Sequence, residues 1–255
     1  MPAAVNEVMH SEEEEGPTIV DKMRSAVYKM FFHPDNPIST PKGFEKLLAS
    51  LPDNTKVLDV GCGDCLYYTE PSICQLIKDK QLVIKGVDID AGAVAIGNTR
   101  VLEAGLEDYV HCEAKDLLLI TETYDVVLFM ESFPVIPRAP MKTYTAHALT
   151  LAPKLLMYHN LVDDEDPAKA DKYASLSLQR WLKPKIKHFS LVDFGELTST
   201  TEMKKFLKDA VPDAACSMKV LLSATAAEAM RFPKIFNVGP MASQCDQYVV
   251  EIIRN

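Results

Sequence analysis

An α/β fold, in which helices cover both faces of a mostly parallel sheet, is predicted by two features of residues 50–162. Short apolar runs at 56–60, 82–88, 109–112, 124–130 and 154–161 alternate with helix-period segments at 72–80, 91–104 and 141–152. Parallel strands need crossover connections, and helices in those crossovers cover the sheet, so this cadence reads as stacked βαβ units. The run YDVVLFM at 124–130 is nearly all apolar, the texture of a strand buried on both faces.

The elements before that region are helical and polar. Residues 1–16 end in SEEEEG, and a like-charge run of this kind is expected to be a solvated, disordered tail. Val20, Met23, Val27, Met30 and Phe31 recur at helical spacing until FFHPDNP at 31–37 breaks the pattern. Thr40 before Pro41 reads as an N-cap with proline at the first helical position, opening a helix to about Ser50, and Pro52, Asp53 and Asn54 make a turn. Beyond 162, a helix is expected over 168–181, a strand or extended connector over 186–192 and a helix over 200–207. Two closing strands, at 219–223 and 248–253, are expected to run antiparallel, separated by the Phe-, Pro- and Gly-rich stretch 231–240.

Composition limits the function classes. The chain has 255 residues, 47% hydrophobic and 25% charged, enough for one elaborated domain with a sizeable core. No apolar run approaches the ~20 residues that span a bilayer, and the N-terminus has no signal-peptide pattern. Six cysteines without a secretory signature fit reduced thiols and a cytoplasmic setting. A formal charge of −9 weighs against nucleic-acid partners, whose binding rests on clustered Lys and Arg.

The stretch VLDVGCGDC at 57–65 admits three readings: a cofactor loop, a thiol pair, or a tight turn. A glycine-rich turn at the carboxyl edge of a parallel sheet lets backbone N–H groups approach a ligand closely. The dinucleotide fingerprint wants a third glycine where Leu66 stands, and a phosphate loop wants Lys followed by Ser or Thr, which are absent. Cys62 and Cys65 have C-x-x-C spacing, but no second pair follows and no nearby His completes a zinc set, so no metal is expected. Asp88 closes the second strand, where an acid can accept both hydroxyls of a ribose, and Asp116 follows the third, where a carboxylate can receive an adenine amino group. Backbone amides, a ribose acid and a base-reading acid describe a pocket for a nucleoside without phosphates.

On these residues the chain resembles a class I S-adenosylmethionine-dependent methyltransferase. DVGCGD at 59–64 resembles the family's first motif, Asp88 its ribose acid, Asp116 its adenine-side acid, and YDVVLFMES at 124–132 its fourth-strand motif. Cys65 departs from the pattern, since many relatives have a third small residue there. The resemblance implies a three-layer αβα sandwich with a mostly parallel seven-stranded sheet and a reversed C-terminal strand. It implies S-adenosylmethionine as cofactor and its homocysteine product, held by Asp59, Gly61, Gly63, Asp64, Asp88, Ile89, Asp116, Leu117 and Glu131. It also divides one domain, 17–255, into a helical lid (17–50), a cofactor half (51–162) and an acceptor side (163–255).

A sulfonium is already a good methyl donor, so the protein's work is to align the acceptor and exclude water. A base is needed only where the acceptor arrives protonated. Glu131 and His159, ending the fourth and fifth strands, are the catalytic candidates, with helix capping and ordinary hydrogen bonding as their alternatives. Phe32, Tyr67, Tyr68, Asn160 and Trp181 are candidates for the substrate side, with core packing the alternative for the aromatics. The expected reaction is methylation of nitrogen or oxygen on a small molecule. A protein or RNA acceptor, or a scaffold that kept the fold without catalysis, are the alternatives.

Overall fold

The structure is a computed structural model, and it describes residues 40–130, 132, 138–161, 165, 199–222 and 246–254. The acidic tail, the helices expected over 18–32 and 168–181, and the segment 186–192 lie outside the described residues.

Helix α1 (Thr40–Ala49) begins one residue before the expected start and leads through a turn into β1 (Lys56–Val60). The chain continues through α2 (Pro71–Lys80), β2 (Val83–Asp88), α3 (Ala91–Glu103), β3 (Val110–Ala114), β4 (Val126–Met130), α4 (Arg138–Leu151) and β5 (Lys154–Leu161). Helix α5 (Thr200–Ala210), β6 (Ala215–Leu222) and β7 (Asp246–Ile253) complete it. Proline opens α2 at its first turn, and Asp90 caps α3 by accepting from the N–H groups of Gly92 and Ala93.

All seven strands form one sheet in the order β3-β2-β1-β4-β5-β7-β6. β1 to β5 pair in parallel, whereas β7 runs antiparallel to both its neighbours, β5 and β6. The expected reversed final strand is therefore present, inserted between β5 and β6. β6 starts four residues earlier than its apolar run suggests, because this edge strand is largely exposed and Ser217 and Lys219 interrupt its apolar residues.

The sheet has a core on each face. Leu58, Val127, Phe129, Leu155 and Met157 point to the side covered by α4 and α5, through Met141, Leu149, Met203 and Phe206. Val57, Ile84, Leu128, Leu156 and Tyr158 point to the side covered by α1, α2 and α3, through Phe44, Leu48, Ile73, Ile77 and Val94. Parallel register puts paired residues on one face, so Asp59, Gly86 and Cys112 form a row across β1, β2 and β3 on the α1–α3 side.

Helix α1 lies close to this face. A Cβ added at Gly43 would fall 1.9 Å from the hydroxyl of Tyr158, which is wholly buried and has no room to withdraw. Alanine in a helix interior usually stabilises by about 1 kcal/mol relative to glycine. Here Gly43→Ala is expected to destabilise by about 1–3 kcal/mol through overpacking. A urea-denaturation midpoint that rises on this substitution would refute the close approach.

Candidate cofactor site

The site forms where β1 ends. Asp59 is buried in the strand between Gly86 and Leu128, and the chain then turns at Gly61 and Gly63. Gly61 has φ 76° and Gly63 φ 53°, the left-handed region that favours glycine. The N–H groups of Gly61 and Cys62 both donate to the carbonyl of Val87, at 2.8 and 3.2 Å, which folds the loop back over the end of β2. A Cβ at Gly61 would sit 2.4 Å from the Cβ of Ser132, so the segment after β4 closes on this corner. At Gly63 an added Cβ would meet nothing within 4 Å. The loop is thus packed at its base and open at its tip.

Asp88 joins the loop to β2. Its Oδ2 accepts from Gly63 N–H at 2.9 Å and its Oδ1 from Asp90 N–H at 3.0 Å, and each oxygen keeps a further lone pair for a ligand. Ile89, next to it, is 79% exposed, an unusual state for a large apolar residue beside a carboxylate. Asp116 caps the short 3₁₀ turn Leu117–Leu119 by accepting from Leu118 N–H at 2.8 Å, and Tyr144 of α4 donates to its other oxygen at 3.3 Å. Leu117 turns into the core, whereas Leu118 and Leu119 are exposed. Exposed apolar Ile89, Leu118 and Leu119 therefore follow the ends of two adjacent strands, within three residues of Asp88 or Asp116.

Asp64, expected to touch the cofactor, pairs with Arg100 of α3. The same guanidinium donates to the Asp64 carbonyl at 2.9 Å, so Asp64 anchors the loop to α3. Of the two roles open to Tyr67 and Tyr68, the structure takes packing. Both are buried, both lie edge-on to Phe44 with ring centroids 4.7 and 5.2 Å away, and both hydroxyls donate to Asp59 Oδ2, at 2.8 and 2.9 Å.

Two buried polar atoms at this corner have no hydrogen-bond partner among the described residues: Asp59 Oδ1 and Ser132 Oγ. Buried polar atoms are ordinarily satisfied by protein, by water or by a ligand group. Ser132 escaped the sequence reading, because only the charge of its neighbour Glu131 stood out. Cys112 escaped it as well: its sulfur joins those of Cys62 and Cys65, a meeting that sequence spacing alone does not signal. Glu131, Phe32 and Trp181 lie outside the described residues. His159 and Asn160 occupy β5 opposite Tyr248 and Gln247 of β7, and their side chains lie outside the described part.

Burial raises the Asp59 carboxyl to a pKa of about 7, outweighing the two tyrosine donors that pull it down, and the nearby Cys112 and Asp88 add to the rise. In the unfolded chain the group titrates near its ordinary value of 3.8. Between about pH 4 and 7 the native state therefore binds more protons than the unfolded one, and stability falls as pH rises through that window. Asp59→Asn removes this dependence while keeping an oxygen for the two tyrosines. Relative to wild type, the variant is expected to gain stability from about pH 4 to about pH 7, at up to roughly 1.4 kcal/mol per pH unit. Parallel pH profiles of the two proteins in urea denaturation would overturn the assignment.

No protein-family model matches the chain, and no curated protein does either. Solved structures do. The [4+2]-cyclase SpnF aligns with a TM-score of 0.58 at 14% identity, over 84% of this chain and 81% of that one. The plantazolicin methyltransferase BamL, in complex with a triazolic desmethyl analogue and SAH, aligns with a TM-score of 0.55 at 12% identity, over 92% and 91% of the two chains. The magnesium protoporphyrin IX methyltransferase ChlM of Synechocystis, with bound SAH, gives 0.50 at 14%, over 94% and 88%. At such identities the likeness is one of fold: the chain has the fold of class I S-adenosylmethionine-dependent methyltransferases.

Proposed function

We propose that this protein is an S-adenosylmethionine-dependent methyltransferase acting on a nitrogen or oxygen of a small-molecule acceptor. The observation that carries the reading is the set of groups around the loop. Its tip is open, Asp88 ends β2 beside Gly63, Ser132 lies against Gly61, and Asp59 Oδ1 and Ser132 Oγ have no partner among the described residues. These groups suit a nucleoside linked to an amino acid and offer nothing for a phosphate chain. Asp88 would accept from ribose hydroxyls. Ile89 and Leu118 would cover the base, with Asp116 reading its amino group, and Asp59 and Ser132 would meet the polar methionine end. When bound, the cofactor supplies a methyl group on a sulfonium, which an acceptor lone pair attacks directly.

The acceptor side is assigned to the ends of β4 and β5, which are adjacent and pair Met130 with Tyr158. Glu131 and His159, the next residues of the two segments, are the proposed groups for orienting the acceptor and taking its proton. Asn160, Phe32 and Trp181 are the remaining candidates there. A second reading, a chain that binds the cofactor without transferring methyl, is favoured by the fold likeness to SpnF, which is described as a cyclase.

Calorimetry with S-adenosylhomocysteine tests the cofactor, and absence of binding would end both readings. Asp88→Ala is expected to weaken that binding about 10- to 100-fold, because each hydrogen bond to a charged group is worth about 1.5–3 kcal/mol. Incubation with methyl-labelled cofactor and metabolite extract then separates the readings. Labelled small-molecule product supports the transferase, label on macromolecules points to a protein or RNA acceptor, and binding without turnover supports the second reading.

A further inference from the structure

Below the loop, on the side away from the open tip, three sulfurs meet. Cys62 comes from the loop, Cys65 from its end, and Cys112 from β3, and their Sγ atoms all lie within 4.8 Å of one another. Cys65 and Cys112 are 3.1 Å apart. All three residues are buried, at 2%, 0% and 2% exposure. Two glycines inside regular elements make the space. A Cβ at Gly86 in β2 would lie 2.9 Å from the sulfurs of both Cys62 and Cys112, and one at Gly97 in α3 would lie 3.0 Å from that of Cys65. Glycine inside a helix or strand is destabilising by roughly 0.5–1 kcal/mol, and in a strand it marks a close approach. The fold therefore gives up local stability twice at the point where the sulfurs converge.

The scaffold around them is held as metal-ligand shells are held. Asn98 of α3 donates to the Cys112 carbonyl at 3.0 Å and accepts from the Cys112 N–H at 3.1 Å, locking β3 at the ligand residue. Arg100, two residues further along α3, ties down Asp64 between Cys62 and Cys65. Cys65 itself sits at φ 55°, a conformation uncommon for a residue with a side chain, which points to a constraint on its placement.

We propose that Cys62, Cys65 and Cys112 form a binding site for a thiophilic closed-shell cation, zinc(II) or copper(I), coordinated by three thiolates. Thiolate donors select these ions over hard oxygen-seeking ones. Bound there, the cation joins the cofactor loop to β3 and fixes the backbone that presents Gly61 and Gly63. Each thiol releases its proton to solvent as its sulfur bonds to the cation, and no redox change is involved. The site is independent of the cofactor reading, because ion binding is measured with no S-adenosylmethionine present.

The test uses the full-length, reduced protein and Cd²⁺ as a spectroscopic probe. Titration is expected to show sulfur-to-cadmium absorption that saturates at one ion per chain. Cys112→Ser should weaken binding at least about a hundredfold, whereas Cys74→Ser and Cys216→Ser should leave it unchanged. A measurement on wild type alone guards against misfolded variants. With Cd²⁺ bound, alkylation under mild denaturant should spare Cys62, Cys65 and Cys112 while Cys74 and Cys216 react. Competition against chromophoric chelators for Zn²⁺ and for Cu⁺ then identifies the native ion. Sub-stoichiometric binding, binding that survives Cys112→Ser, uniform alkylation of all six cysteines, or a Cys65–Cys112 disulfide in the purified protein would each overturn the site.

Discussion

The constraint on which the described half of this molecule depends is the removal of the Asp59 carboxylate from water at the end of the central strand. A buried carboxylate without hydrogen bonds is among the costlier groups a fold can carry. Asp59 receives two, both on one oxygen, from the consecutive residues Tyr67 and Tyr68. Consecutive side chains rarely reach one atom; they do so here because residues 66–69 form a tight 3₁₀ turn rather than a strand or α-helix. That turn can sit beneath Asp59 only if the chain reverses at Gly61 and again at Cys65, and both have positive φ. Phe44 of α1 then packs edge-on against both tyrosines, so the first helix is tied to the same carboxylate.

The loop is also restrained from its other neighbours. Asp88 holds Gly63, the Val87 carbonyl holds Gly61 and Cys62, and Arg100 holds Asp64. A ligand arriving at Gly63 meets a backbone that is already ordered, and so does not have to supply the free energy of ordering it. This explains a division within the site. Asp64, which ends the first motif, and the two tyrosines that follow it support the loop, while Asp88 keeps lone pairs that no described residue uses.

Much of this was legible in the sequence, for reasons specific to each part. β4 and β5 were readable because central parallel strands are apolar on both faces. The cap of α3 by Asp90 is local in the chain, because it joins residues two and three positions apart. The start of β6 was not readable, since an edge strand with solvent beside it has no continuous apolar run. Asp88 and Asp116 were found because strand ends can be counted. Ser132, Cys112 and Arg100 were missed because their partners lie 71, 47 and 36 positions away in the chain, at Gly61, Cys65 and Asp64. Only the sheet register brings such pairs together. Tyr67 and Tyr68 had two open roles, and the choice depended on the burial of Asp59, which a polar residue in a short strand does not announce.

The row Asp59, Gly86, Cys112 shows how one missing side chain organises two chemistries. Any side chain at 86 would fill the gap between β1 and β3 on the α1–α3 face and would push the sulfurs of Cys62 and Cys112 outward. Moving Cys62 moves the turn between Gly61 and Gly63, and with it the amide that Asp88 accepts. The open tip above the sheet and the sulfur cluster below it are therefore two sides of one nine-residue stretch, 57–65.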